Sequence, residues 1–170
     1  MKSVLLSTVV ILAMFLCSLK GSAQSSFLRQ FTAKDGLHSN YVYSVIQDSE
    51  GYIWLSTDVG VSRFNGYEFE NFSTSEGVPD TEILSLIEDS KGRIWMLSLN
   101  GEIGYYHGGV FKNAANNKVL KEVKSRSIVT SLCESSGGEI FISTRKDGIY
   151  VIDKQESVQQ IATEMAIYRV

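Results

Sequence analysis

The apolar residues of this chain fall into short runs divided by turn-forming residues. Four runs, 41–47, 52–57, 61–64 and 67–72, are rich in Val, Ile, Tyr, Phe and Trp, the side chains that suit a pleated strand. Between them stand Asp48-Ser49-Glu50-Gly51, Asp58-Val59-Gly60 and Asn65-Gly66, residues that punctuate strands. The Asn65-Gly66 pair predicts a two-residue hairpin of type I′, which needs positive φ at both central positions. Gly51, Gly92 and Gly138 meet a comparable need at the first turn of three successive sets. Residues 52–57 are apolar at successive positions, which predicts a strand covered on both faces. Beyond the N-terminal segment no stretch has a convincing helical period; 116–123 is the one weak candidate.

The order of runs and turns repeats. A shift of 41 residues places Phe31-Thr32 on Phe72-Ser73 and Asp35-Gly36-Leu37 on Glu76-Gly77-Val78. It also places Ser44-Val45-Ile46-Gln47-Asp48-Ser49 on Ser85-Leu86-Ile87-Glu88-Asp89-Ser90, and Gly51-Tyr52-Ile53-Trp54 on Gly92-Arg93-Ile94-Trp95. A third copy lies a further 46 residues on, the extra five falling near 116–124. There Val129, Ser131, Leu132, Cys133 and Glu134 repeat the inner strand, and Gly138-Glu139-Ile140-Phe141 repeats the turn and its aromatic. Four-stranded antiparallel sheets recurring about every 40 residues suit the blades of a β-propeller. The expected fold is all-β: a partial β-propeller of about three four-stranded antiparallel blades, near 40–73, 81–113 and 127–162. Trp54, Trp95 and Phe141 should pack between neighbouring blades. Ser44, Ser85 and Ser131 should sit on crowded innermost strands, and Cys133 should share the core slot of Ile46 and Ile87.

The N-terminus is of another kind. Lys2 precedes a nearly pure apolar run from Val4 to Cys17, and Gly21-Ser22-Ala23 follows with small residues. This pattern reads as a signal peptide helix over 1–23, cleaved to leave 24–170 as an incomplete propeller. An uncleaved anchor fits less well, because the run falls short of the ~20 residues that span a bilayer. A lipoprotein signal would need a small residue where Leu16 stands before Cys17. Cleavage would remove Cys17 and leave Cys133 alone, so an apolar core, not an internal disulfide, must hold the domain. Composition agrees with a folded domain: 44% hydrophobic residues and one Pro in 170 exclude a disordered tail. The net charge of -3 supplies no basic field for nucleic acid.

The run from Phe31 through Asp35-Gly36-Leu37, Val45-Ile46-Gln47-Asp48, Gly51-Tyr52-Ile53-Trp54-Leu55-Ser56-Thr57 and Gly60-Val61-Ser62-Arg63-Phe64 resembles the two-component regulator propeller repeat. The second copy departs from the pattern at Ser98 and Leu99; the third has Ser135 for the aspartate and Phe141 for the Trp. That resemblance implies the periplasmic sensor region of a hybrid two-component system or sensor histidine kinase of Bacteroidetes-type bacteria. It implies an N-terminal piece of a longer sensor, periplasmic or secreted, with no catalysis of its own. A kinase domain would lie elsewhere in the parent. Partners would be a glycan or other periplasmic small ligand, the remaining blades or a second copy, and the membrane only through further C-terminal parts. A fragment of a secreted propeller hydrolase or lyase acting on polysaccharide is the alternative.

The chemistry-bearing residues invite plain readings. Asp48 and Asp89 each offer too few oxygens for a calcium loop, and an Asx-turn explains them better. His38 and His107 lack a Cys or His neighbour at metal spacing. Glu68, Glu70, Glu76 and Asp80 read as a solvated edge, and the basic 118–126 as a solvated loop. No catalytic, cofactor-binding or metal-binding residue is assigned, no cofactor is expected, and the ligand-binding residues are unknown at this level.

Overall fold

A computed structural model describes residues 28–123 and 127–161; the expected signal peptide at 1–23 lies outside them. Residues 28–30 have no regular structure and end an N-terminal unit of residues 1–30, while a second unit begins at Phe31. Among the described residues of that second unit, strands form three separate four-stranded sheets. The first contains β1 (Val42–Gln47), β2 (Ile53–Thr57), β3 (Gly60–Phe64) and β4 (Phe69–Phe72). The second contains β5 (Ile83–Glu88), β6 (Ile94–Ser98), β7 (Ile103–His107) and β8 (Val110–Asn113). The third contains β9 (Val129–Glu134), β10 (Ile140–Thr144), β11 (Ile149–Ile152) and β12 (Val158–Ile161). Each sheet is an antiparallel meander in chain order. The fold is all-β, three propeller blades without a closed barrel.

Two apolar clusters lie between the sheets. Trp54, Val61 and Phe72 of the first blade pack with Ile83, Leu86, Ile94, Met96 and Phe111 of the second. Trp95, Leu97 and Ile103 of the second pack with Val129, Ile140, Ile142 and Tyr150 of the third. The middle blade has neighbours on both sides, and all five residues of β6 are buried. At the β2–β3 turn the chain comes close to the next crossing. Gly60 has φ 128, and a Cβ there would stand 2.2 Å from the Phe72 carbonyl oxygen, so only glycine fits.

Each innermost strand carries a bulge at the same place. Val42 opposes Thr57 and Ser44 opposes Ser56, which leaves Tyr43 as an extra residue. The shift recurs between Ile83 and Ser85 and between Val129 and Ser131, at Leu84 and Thr130. A bulge twists its strand and re-aims the side chain it inserts.

Several expectations are corrected. Cys133 is exposed although Ile46 and Ile87, in the same slot, pack against the two clusters: among the described residues no sheet packs on its side of β9. For the same reason Phe141 is only half-buried, while Trp54 and Trp95 are fully buried. Ser44 and Ser85 are half-buried and Ser131 is exposed, because three inner strands do not crowd a channel. The described part of the basic stretch, 118–123, is not a plain solvated loop: α1 (Lys118–Glu122) is capped by Asn117 and buries Leu120 in the second cluster; residues 124–126 lie outside the described residues. A 3₁₀ turn at Ala33–Asp35, unforeseen, is closed by a capping box of Thr32 and Asp35. A tight hairpin does form here, but Asn65-Gly66 is not its type I′ centre: the Asn65 N–H donates to the Glu68 carbonyl at 3.3 Å across Gly66-Tyr67. Phe64 pairs with Phe69, and the Asn65 side chain accepts from the N–H groups of Tyr67 and Glu68, so one positive φ, at Gly66, suffices. The type I′ geometry occurs instead at Gly108-Gly109, both at positive φ.

Candidate functional site

The Asp-x-x-Gly-x-x-Trp spacing has a local cause. Asp48 Oδ1 accepts from the N–H groups of Glu50 and Tyr52 at 3.1 and 2.8 Å, and Oδ2 takes the Trp54 indole N–H at 2.7 Å. Asp89 does the same with Lys91, Arg93 and Trp95, and its Oδ2 also takes the Arg93 Nε–H at 2.5 Å. Burial pushes the Asp89 carboxyl up, but hydrogen bonds from Trp95 and Arg93 and the Arg93 charge outweigh it, and the carboxyl stays below its ordinary range. In the third blade Ser135 accepts from the N–H groups of Gly137 and Glu139 and bonds the Glu139 carboxylate. The Asx-turn reading therefore holds for both aspartates, with the indole as a further partner.

Above each tryptophan sits a guanidinium. In the first blade Arg63 of β3 lies over Tyr52, 4.7 Å from the ring centroid, and over Trp54 at 5.5 Å. In the second, Arg93 stands where Tyr52 would be and Tyr105 where Arg63 would be, with Arg93 over Trp95 and Tyr105 at 4.9 and 5.2 Å. The cation and the ring have exchanged strands, and the cation–π stack is kept.

The same end of the sheets joins blade to blade. Ser49 donates its N–H and O–H to Glu88 Oε2 and Oε1 at 2.9 and 2.6 Å. Ser90 repeats this with Glu134 at 2.8 and 2.6 Å. A cleft of about 220 Å³ beside the first latch is lined by Arg63, Lys91, His107 and Gly108 among others. Asp48, Arg63, Glu88, Asp89, Arg93 and Glu134 at this end are thus engaged in turns, stacks and latches.

The opposite end, where the inner strands begin, is different. The bulge at Tyr43 points its phenol to Glu82, on the crossing into the second blade, with O–H to Oε1 at 2.5 Å. Glu82 is held in turn by its carbonyl, which accepts from Leu99 N–H at 3.0 Å. Asn100 Nδ2 donates to Asp80 Oδ2 at 2.8 Å. The Tyr43 phenol is pushed up to about 12, first by its bond to Glu82, then by burial and the charges of Glu82 and Asp58. It is a neutral donor near pH 7, not a base. Tyr41, on the same strand lead-in, is 71% exposed. This rim gathers a phenol, an aromatic face, carboxylates and a carboxamide from two blades, a set able to hydrogen-bond and stack a polyhydroxylated ligand.

The residues weighed in the sequence are scattered across both ends. His38 gives its backbone N–H to Ser62 Oγ, and its Nδ1 is buried without a partner; His107 lines the 220 Å³ cleft. The carboxylates expected on a solvated edge are partly engaged. Glu70 pairs with Arg63 at 2.5 Å. Glu76 is lowered to about 2, first by the Ser73 N–H and then by the hydroxyls of Ser73 and Ser75. Among the described residues no group of three or more His, Cys, Asp and Glu is placed to hold a metal. Tyr43 and Glu82 escaped the sequence reading, and the one available signal was an exposed-type tyrosine pair at the start of an inner strand.

Fold and turn chemistry together define a partial propeller of repeated, latched blades. The family model for the two component regulator propeller matches residues 36–59 and 77–100, and the chain carries two-component regulator propeller repeats over those segments. A curated relative, histidine kinase P4 of Formosa agariphila, is 29% identical over 70 residues, covering 41% of this chain and 5% of that protein. Among solved structures, the extracellular domain of BT3049 from B. thetaiotaomicron, described as a hybrid two component system, superposes with TM-score 0.61 at 16% identity. It covers 84% of this chain and 18% of the other. The extracellular domain of BT4673 from the same organism gives 0.63 at 22% identity, covering 83% and 19%. A streptogramin B lyase gives 0.56 at 19%, covering 73% and 41%. The chain thus spans a small part of these proteins, and at such identities the solved structures speak for the fold alone.

Proposed function

We propose that this chain is a non-catalytic arc of an extracytoplasmic sensor propeller, receiving a glycan or similar small ligand on the rim of Tyr41, Tyr43, Asp58 and Glu82. The observation that carries the reading is the Tyr43–Glu82 bond, which joins one blade's inner strand to the crossing into the next inside the matched repeats. With its O–H given to Glu82, the Tyr43 oxygen can still accept, as can the remaining lone pairs of the rim carboxylates, which suits sugar hydroxyls as donors; the exposed Tyr41 ring suits the apolar face of a sugar. A complete pocket needs convergent groups from several elements, so three blades support weak affinity, and the remaining blades of a parent would complete it. In that parent, occupancy would be coupled to a kinase or regulator, with membrane contact only through those further parts. Export through a cleaved signal peptide at 1–23 would place the rim in the periplasm or outside the cell.

A fragment of a polysaccharide hydrolase or lyase is the second reading, favoured only by the likeness of fold to the lyase. It needs a poised base, and a tyrosine held near 12 is a poor one. The test is a glycan array with parallel hydrolysis and lyase screens on the full chain and Tyr43→Ala. Weak binding by the wild type, lost in the variant, with no cleavage is expected. Cleavage by the purified chain would overturn the sensor reading.

A further inference from the structure

Asparagine precedes glycine twice in the chain, at Asn65-Gly66 and Asn100-Gly101, and the fold treats the two pairs differently. A glycine leaves the amide nitrogen after an asparagine unshielded, so that nitrogen can attack the side-chain amide and close a five-membered imide. Asn65 and Gly66 are exposed on the β3–β4 hairpin. Asn65 Oδ1 accepts from the N–H groups of Tyr67 and Glu68, both at 2.9 Å, and the ring closed by the Tyr67 bond contains both the Asn65 Cγ and the Gly66 nitrogen. Among the described residues no hydrogen bond engages the Gly66 N–H or the Asn65 Nδ2. A Cβ at Gly66 would meet nothing within 4 Å, so water has open access. At the other pair, Asn100 Nδ2 donates to Asp80 Oδ2 at 2.8 Å, and the Gly101 N–H donates to the Ser98 carbonyl at 3.2 Å. A Cβ at Gly101 would stand 3.2 Å from the Ser127 carbonyl oxygen and the Val129 nitrogen, so the backbone there is packed against the start of β9.

We infer that Asn65 is a modification site, a deamidation with water as its co-reactant that the hairpin favours and that the fold denies to Asn100. Water takes the Gly66 amide proton, and the nitrogen forms a bond to Asn65 Cγ. The charge that develops on Oδ1 meets two N–H donors already in place. The Cγ–Nδ2 bond then breaks, and the amide leaves as ammonia with that proton. One further water opens the imide. Breaking the bond between Cγ and the Gly66 nitrogen gives aspartate; breaking the bond at the backbone carbonyl carbon gives isoaspartate. The aspartate keeps an oxygen on both N–H donors and strengthens them with its charge. The isoaspartate lengthens the main chain by one carbon, which disrupts the Asn65 N–H bond to the Glu68 carbonyl and the Phe64–Phe69 pair beside it. Either product adds negative charge next to Glu68 and Glu70. Asn100 on the rim stays a carboxamide, and the site is independent of the ligand proposed there.

The test ages the full chain in mildly alkaline buffer and maps its peptides by mass spectrometry, with isoaspartyl methyltransferase labelling of the products. In the folded chain Asn65 should convert at least about ten times as fast as Asn100, the factor that one net hydrogen bond supplies. In urea, where both pairs are free, the two rates should come together, and Asn65 should react no faster than it does folded. Asn65→Asp should melt with the wild type, and the isoaspartate fraction of the aged chain should melt below it. Conversion at Asn100 that matches Asn65 in the folded chain would overturn the inference. So would a preference for Asn65 that persists unchanged in urea, or an Asn65 that ages more slowly folded than unfolded.

Discussion

Replacing Asp89 by alanine should cost far more than the same change at Asp48, although the two occupy one place in the repeat. Both carboxylates cap a turn and hold an indole. Only Asp89 also neutralises a guanidinium, with Arg93 8% and Asp89 0% exposed at their side chains. Asp48→Ala strands one indole N–H, and its turn amides can turn to water, a loss of about 1–3 kcal/mol. Asp89→Ala strands a buried cation as well, which costs about 3–5 kcal/mol. With m near 2 kcal/mol/M for urea, that loss moves the midpoint by roughly 2 M. Arg93→Met in the Asp89→Ala background removes the stranded charge and should recover part of the loss, with a coupling of about 0.5–3 kcal/mol. The sign with pH is set: the folded carboxyl is lowered, so its contribution is present above the ordinary carboxylate pKa and lost as pH falls through the folded value. Urea melts by tryptophan fluorescence at pH 7 and pH 3 measure both. Equal losses at Asp48 and Asp89, or a wild-type to Asp89→Ala gap that widens in acid, would refute the reasoning.

Trp54→Ala should lose about 3–5 kcal/mol, because the ring is fully buried against Phe72 and Tyr106; a near-silent change in thermal melting would mean the ring is a ligand platform. Ultraviolet titration should find Tyr43 ionising near 12, and Glu82→Gln should bring it down toward 10. Because that phenol is raised on folding, its contribution to stability is intact below pH 10 and lost as pH rises through about 12. Fused to a reporter in a Gram-negative host, residues 1–24 should direct export with cleavage after Ala23, read by N-terminal sequencing; a product beginning at Met1 in the cytoplasm would contradict it.

The strands were legible because β-branched and aromatic runs alternate with Asp, Asn and Gly turns, and because three copies reinforce one another. The repeat register names a residue's slot but not whether a neighbour fills it, which is why Cys133 and Phe141 were placed in a core that stops short of them. The bulges at Tyr43, Leu84 and Thr130 were hidden for a related reason: all three copies carry the extra residue, so the alignment shows no gap. With them went the Tyr43–Glu82 contact, whose partners are 39 residues apart and meet only through the crossing. The exchange of Arg and Tyr between Tyr52–Arg63 and Arg93–Tyr105 was likewise invisible position by position, since only pairing across two strands makes the swap conservative.

The most direct test of the sensor account is a chemical-shift map of the isotope-labelled chain titrated with an oligosaccharide that scores on the array. The account predicts shifts confined to the rim, at Tyr41, Tyr43, Asp58, Asp80, Glu82 and Asn100, with the sugar recovered intact and the shifts abolished by Tyr43→Ala. Shifts centred on the Asp48 and Asp89 turns at the other end, or sugar resonances that decay into cleavage products, would contradict it.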